Sequence, residues 1–395
     1  MTKKFNRIIS LIIIFIMTLS SFTFLYAVNL EDLNDRIHGA LLGDLETGEI
    51  LYEYNIDKAL PLASISKLIT YSILMDNIAE GKIKLDDEIT ISDRVAKTEG
   101  SKFGMTAGEK IKVSMMIDAL LIVSGNDAAA AIAEHIAGTQ EEFVEMMYDK
   151  TNELGLSSAY FINVHGLPEE DNVQPDQNYM SIKDLYTFVK YLLTTYPQIL
   201  ETTKRSELVI PERNFSRKST NPLFGEVDGI DGLKTGYTDD AGICLVSTIP
   251  VKGQGQDSED YRVIAIIMGA QTHPERIEKS KALLEHGRND YINQKLSNKD
   301  EACDNIYIGN AKVENVDVYA KEDYNKLIKN GQTVRTEKVY NEKIKAPIEK
   351  GTKIGELSYY IGDEKIKTID IEVREDVQKA NIFVRIFRFF RNLFK

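Results

Sequence analysis

Apolar and polar residues alternate with a period of two in two early runs, His38 to Leu42 and Glu49 to Tyr54, separated by Gly43-Asp44 and Thr47-Gly48. This pattern predicts an antiparallel hairpin. From Ser64 to Glu80 the period changes: Ile65, Leu68, Ile69, Ile73 and Leu74 recur at the spacing of one helix face, and Gly81 closes the run. Helical spacing returns in Ser114 to Val123, Asp127 to Ile136, Glu141 to Leu154 and Ile182 to Tyr196, with Ser124-Gly125-Asn126 interrupting between the first two. Gly229 to Lys234, Gly242 to Thr248 and Val263 to Gly269 then read as strands, Gly253 to Glu259 as a polar hairpin loop, and His273 to Asn293 as a helix. Strands early, helices in the middle and strands late predict an α/β domain. Its antiparallel sheet brings the first and last strands together, flanked by helices and carrying an inserted helical region. From about Lys299 to Val377 short Val, Ile and Tyr runs, with turns at Gly309-Asn310, Asn330-Gly331, Gly351 and Gly362-Asp363, predict a small separate all-β domain.

The two ends depart from this globular pattern. Lys3, Lys4 and Arg7 precede an apolar stretch that runs to Leu25 and ends at Ala27, the form of an export signal. Whether it is cleaved after Ala27 or stays as a membrane span, the remainder lies outside the cytoplasm. Between Ala380 and Lys395 the residues Ile382, Phe383, Ile386, Phe387, Phe389, Phe390, Leu393 and Phe394 fall on one side of a helix, with Arg385, Arg388, Arg391 and Lys395 opposite. That is the signature of an amphipathic helix lying in a membrane interface and too basic to span it. The expected segments are therefore 1–27 (signal), 28–295 (catalytic domain), 299–378 (β domain) and 380–395 (anchoring helix).

A net charge of −13 leaves no basic face for nucleic acid outside the extreme C-terminus. Cys244 and Cys303 are the two cysteines, too few for a disulfide framework, and read as unpaired thiols in different parts of the fold. Neither His135 nor His165 stands at metal-ligand spacing from a cysteine or carboxylate, and no cofactor motif occurs. His165 reads as structural and Cys244 as core.

The segment Pro61-Leu62-Ala63-Ser64-Ile65-Ser66-Lys67 puts a hydroxyl at a helix start and an amine one turn later. A serine becomes a nucleophile when a base stands within hydrogen-bond reach, and a lysine is that base if burial or a neighbouring cation lowers its pKa. Alone, Ser-x-x-Lys arises by chance in many helices. Here Ser124-Gly125-Asn126 follows in a loop between two helices, and Lys234-Thr235-Gly236 at the end of a late strand.

The three motifs together resemble those of the serine penicillin-recognising enzymes, Ser-x-x-Lys, Ser-x-Asn and Lys-Thr-Gly. Glycine in the middle motif is similar to the low-molecular-mass D-alanyl-D-alanine carboxypeptidases. The resemblance runs from His38 to about Ile348 and includes Ser124-Gly125-Asn126-Asp127-Ala128, Val164-His165-Gly166-Leu167, a β domain and an amphipathic tail. It implies the penicillin-binding/β-lactamase-like transpeptidase fold, peptidoglycan peptide stems as substrate and β-lactams as acylating inhibitors. It further implies a peripheral position on the outer face of the cytoplasmic membrane. Carried over, it makes Ser64 the acylated nucleophile, Lys67 its base and Ser124 a proton relay to the leaving amine. Asn126 would hold the substrate's peptide amide, and Lys234 and Thr235 its carboxylate. Gly236 would leave room for a backbone pairing on the strand edge, and the N–H groups of Ser64 and Tyr237 would form the oxyanion hole. Some relatives carry histidine in place of Tyr237. A serine β-lactamase shares such a site but adds a carboxylate for deacylation, in class A within Glu-x-x-Leu-Asn, which this chain lacks. A membrane-held binding protein with a relict site is the non-enzymatic alternative, and the intact motifs argue against it.

Overall fold

The computed structural model describes residues 33–169, 177–255 and 257–393, with side chains in the last helix described as far as Arg388. The expected signal, 1–27, lies outside the described residues, as do the side chains of Phe389, Phe390, Arg391, Leu393, Phe394 and Lys395.

The hairpin forms as the alternation requires, with β1 at Gly39–Asp44 and β2 at Ile50–Tyr54. Three late strands complete the sheet: β3 (Gly232–Thr238), β4 (Gly242–Val251) and β5 (Tyr261–Ala270). The order is β2-β1-β5-β4-β3, antiparallel throughout, so first and last strands do meet in the middle and β3 lies at an edge. The polypeptide between β2 and β3 supplies α1 (Lys67–Ala79), α2 (Val113–Leu121), α3 (Asn126–Ala137), α4 (Gln140–Glu153) and α5 (Ile182–Thr195). After β5 comes α6 (His273–Asn289), opened by a capping box in which Thr272 and Glu275 satisfy each other's backbone N–H groups.

Alternate residues of β1 face opposite layers. The Tyr186 ring of α5 occupies the space a side chain on Gly43 would need, whereas Leu42, one residue earlier, lies beside Gly287 of α6. The large apolar core, including Leu41, Ile65, Leu68, Leu74, Leu120, Phe143 and Phe188, fills the region between the sheet and α1–α5. Each such fully buried side chain contributes about 2 kcal/mol of transfer free energy. α1 is buried on nearly all sides over Lys67–Met75. A central helix of this kind cannot shift without moving the whole core.

Away from the Ser64 turn, two boundaries differ notably from the sequence reading. The helix expected to Asn293 ends at Asn289, because Tyr291–Ser297 leaves it as β6 and pairs with β9 (Tyr324–Lys329). Tyr291 and Ile292 prolong the apolar spacing of the helix, but pairing with a distant strand prevails over that local pattern. The late strand expected at Gly229–Lys234 instead starts at Gly232 and runs through the Lys-Thr-Gly segment to Thr238. Polar residues made it look finished, but Lys234, Thr235 and Thr238 are buried.

The C-terminal part is all β, as expected. Strands β7 (Ala302–Tyr307), β8 (Asn315–Ala320), β10 (Val334–Tyr340), β11 (Lys353–Ile361) and β12 (Glu364–Glu372) form a sheet in the order β7-β8-β12-β11-β10. It encloses its own cluster of Ile308, Val318, Ile354, Leu357, Tyr359 and Ile371. Lys326 of β9 reaches both oxygens of Glu49, at 3.0 and 2.9 Å, and so ties this part to the β1–β2 hairpin.

The final helix, α7 (Ile382–Leu393), begins with the Asn381 side chain accepting from the Val384 N–H. Its described basic residues do not project freely. Arg385 Nε donates to Asn310 Oδ1, Arg388 donates to the carbonyls of Ala311 and Lys312, and Arg388 also pairs with Glu314 at 3.5 Å. Ile382, Phe383, Ile386 and Phe387 are exposed, Phe383 by 79%. No helix among the described residues is long and apolar enough to cross a membrane.

Candidate active site

The chain enters the site through Leu62, whose N–H is held by the Asn178 carbonyl at 2.8 Å. Ala63–Ser66 then form a single 3₁₀ turn, and Ala63 sits at φ 47°, a left-handed conformation unusual for a residue with a side chain. The sequence places Ser64 at the start of the α-helix; the structure places it in this tight turn and starts α1 at Lys67. The turn aims the Ser64 hydroxyl back at the Lys67 amine, with Nζ donating to Oγ at 2.7 Å.

Lys67 is fully buried and donates also to the His165 carbonyl at 3.0 Å. Burial, and then the positive charge of Lys234, hold its pKa well below the lysine range, with Asp127 opposing weakly. Lys234 is buried too and is pushed down to about 7, by burial first and the Arg276 guanidinium second. Its Nζ donates to Ser124 Oγ and to the Thr235 carbonyl, both at 2.9 Å. Ser124 stands at φ 60°, one residue before the Gly125 that caps α3. Two buried amines thus each hold one serine hydroxyl. The three motifs of the sequence converge on one site.

Asn126 opens α3 with its Nδ2 donating to the Glu99 carbonyl at 2.7 Å, while its buried Oδ1 has no partner. An unpaired buried amide oxygen costs about 1–3 kcal/mol unless something supplies a donor. On β3, Thr235 Oγ1 donates to Thr220 at 2.8 Å. Tyr237 is 59% exposed, its hydroxyl donating to Asp239. Gly236 is expected to keep the strand edge clear, but its missing side chain faces the nucleophile turn: a Cβ there would lie 2.9 Å from the Leu62 carbonyl and 3.2 Å from Ala63. The strand therefore leaves no room for a side chain between Gly236 and the turn. Among the described residues, the far edge of β3 carries no partner strand in the sheet.

Several residues of the site were missed in the motifs. His165 contributes its carbonyl to Lys67, and its imidazole, accepting from the Leu167 N–H and lowered to about 3 chiefly by burial, is neutral. Gly166, at φ 87°, passes so close to Ala63 that a Cβ would lie 1.9 Å from that carbonyl. Asp127, read as a helix-start residue, also accepts the N–H groups of Phe103 and Gly104 at 2.9 and 2.8 Å and pins the loop before α2. Thr220 and Arg276 had no local signal, since each reaches the site from another element. Cys244, opposite Gly236 in register, is buried with its thiol pushed up to about 12, and both cysteines are free. No group of His, Cys, Asp or Glu among the described residues is arranged to hold a metal.

Residues 31–272 match the family described as D-alanyl-D-alanine carboxypeptidase, and residues 291–379 match the C-terminal domain of penicillin-binding protein 5. The chain is 31% identical over 393 residues to the D-alanyl-D-alanine carboxypeptidase DacF of Bacillus subtilis (strain 168), covering 97% of each chain. Penicillin-binding protein 5 of Haemophilus influenzae superposes with a TM-score of 0.70 at 25% identity, over 87% of this chain and 98% of that one. Penicillin-binding protein D2 of Listeria monocytogenes, solved in an ampicillin-bound form, is 30% identical with a TM-score of 0.55, over 63% of this chain and 96% of that one.

Proposed function

The chain belongs to the D-alanyl-D-alanine carboxypeptidase family of serine hydrolases, and on that premise we propose that it removes the terminal D-alanine of peptidoglycan stems through an acyl-enzyme on Ser64. One observation carries the assignment of roles: the 2.7 Å contact from Lys67 Nζ to Ser64 Oγ, made by an amine whose burial and cationic neighbour favour the neutral form. Neutral Lys67 takes the hydroxyl proton as Ser64 Oγ attacks the carbonyl between the two D-alanines. The Ser64 and Tyr237 N–H groups receive the oxyanion. As the C–N bond breaks, the proton taken up by Lys67 is relayed through Ser124, held by Lys234, to the leaving amine; Lys67, neutral again, then takes a proton from the water that attacks the ester, and that proton returns to Ser64 Oγ as the shortened peptide leaves. Lys234 and Thr235 attract the terminal carboxylate, and Arg276 adds charge behind them. The unpaired Oδ1 of Asn126 suits the N–H of the acyl-side amide. β-Lactams would acylate Ser64 by the same route.

Release of D-alanine from a D-alanyl-D-alanine peptide, blocked by penicillin and lost in Ser64→Ala, is the expected result for residues 28–378. Turnover of penicillin without such release would overturn the reading in favour of a β-lactamase. The domain limits 28–295 and 299–378 follow the composition shift, although β6 already pairs with β9.

Export by the first 27 residues and attachment to the outer face of the membrane by 380–395 complete the proposal. The exposed Ile382, Phe383, Ile386 and Phe387 support attachment. Because Arg385 and Arg388 are engaged with the β domain, the apolar face is assigned the larger share of binding. Deleting Ile382 to Lys395 should abolish sedimentation with vesicles, and undiminished binding after that deletion would overturn the anchor.

A further inference from the structure

One hairpin stands outside the cleft yet reaches toward two of its motifs. Its strands, Glu207–Ile210 and Phe215–Lys218, pair around the turn Pro211–Arg213, with Asn214 at φ 49°. The chain leaves it into Thr220, whose N–H donates to the Ile122 carbonyl at 3.1 Å and whose hydroxyl accepts from Thr235 at 2.8 Å. Its other end closes on the loop 99–106. The Arg213 guanidinium pairs with Glu109 and donates to the Gly104 carbonyl at 3.1 Å. It also lies 4.7 Å from the centre of the buried Phe103 ring, against which Phe215 packs edge-on at the same separation. Arg217 donates to the Lys102 carbonyl at 2.7 Å, and Glu109 accepts the Thr106 N–H at 3.0 Å. The outward carbonyls of the loop are thus taken by arginines of the hairpin.

The inner side of the same loop sets the geometry of the second motif. The Ser101 carbonyl accepts the Asn126 N–H at 2.7 Å, the Ser101 hydroxyl donates to the Val123 carbonyl at 2.9 Å, and the Glu99 carbonyl accepts from Asn126 Nδ2 at 2.7 Å. An amide side chain has two chemically distinct ends, and its orientation follows from which end is held. Here the Glu99 carbonyl takes the nitrogen end and leaves the buried Oδ1 without a partner. A loop that moved away would release that choice. Asp127 holds the loop from within, through the N–H groups of Phe103 and Gly104, and Arg213 holds the same two residues from without, through a ring and a carbonyl.

We propose that Arg213 is a positioning residue: by clamping the loop 99–106 against the start of α3 it keeps the Asn126 amide turned with Oδ1 toward the acyl-side N–H of the substrate. The inference rests on the carboxypeptidase reading. Its test is a double-mutant cycle in kcat/KM for D-alanine release from diacetyl-L-lysyl-D-alanyl-D-alanine, with each preparation corrected for its folded fraction by circular dichroism. Arg213→Ala should lower kcat/KM about tenfold, as expected when a binding group is displaced by less than an ångström. Where Asn126→Ala has already removed the amide, the same change should cost less than about twofold. Arg213→Lys keeps a charge for Glu109 but not the fork that spans Glu109 and Gly104, so its loss should fall between, and it carries the cycle if Arg213→Ala does not fold. Val209→Ala, at a position 52% exposed on the same hairpin, should leave kcat/KM unchanged. A loss that persists in full in the Asn126→Ala background would overturn the role, as would no loss in Arg213→Ala or an equal loss in Val209→Ala. Absence of D-alanine release from the wild-type enzyme would instead remove the functional reading beneath it.

Discussion

The cleft and the β domain differ in where they keep their charges. In the cleft two lysines are fully buried with their pKa values driven down. In the β domain the core is apolar, and pairs such as Lys338 with Asp304 sit at the surface. Desolvated charge opposes folding and is kept only where the surrounding structure over-determines it. The large core beneath α1 provides that support. The difference teaches that the buried lysines of the cleft are local instability held in place by a rigid frame, whereas the β domain keeps its charges in water.

Mutations test that difference in order of effect. Ser64→Ala should lower D-alanine release by at least about 10⁴-fold, and Lys67→Ala by about 10²- to 10⁴-fold near neutral pH, measured by steady-state assay, while neither lowers thermal stability. Retained release in either would break the contrast at its centre. Leu357→Ala in the β domain should do the reverse, costing about 2–5 kcal/mol in denaturant unfolding with activity per folded molecule unchanged.

The pH dependence sharpens it. Lys234 has a folded-state pKa of about 7 against an ordinary 10.5. Between those values the unfolded chain binds the extra proton, so stability rises with pH through that window, and the burden on folding is greatest below about 7. Lys234→Met should therefore raise the melting temperature more at pH 6 than at pH 10, at the expense of substrate binding. An equal shift at both pH values would mean that the buried charge does not strain the fold. The smallest effect is expected for Lys326→Ala, which removes the half-buried contact to Glu49: at most about 1 kcal/mol by chemical denaturation.

Much of this was legible in the sequence. The period of two in β1 and β2, the helical spacing of α2 to α5 and the order of the three motifs led to the fold and to Ser64, Lys67, Ser124 and Lys234, because each rests on local pattern or on a short string of residues. What escaped depends on contacts between distant segments. Tyr291 and Ile292 continue a helical spacing yet pair with β9, the Lys-Thr-Gly strand runs on because Lys234, Thr235 and Thr238 are covered, and Gly236 also answers to the Leu62 carbonyl and the Ala63 side chain. Arg276 and Thr220 reach the site from other elements, and nothing in their neighbours marks them. The arginines of α7 were legible as one face of a helix, but what that face touches was not.

Those arginines bear on motion. From Val377 onward the chain is fastened to the β domain by the Ile348 backbone, by Lys312 with Gln378, by Asn310 with Ala380, and then by Arg385 and Arg388. No slack leash separates helix from body. Under the attachment proposed above, a protein moored in this way would have its tilt and roll fixed as well as its location, and its search for substrate would become a glide in two dimensions with the cleft at a constant height. Substrate beyond that height would lie outside its reach.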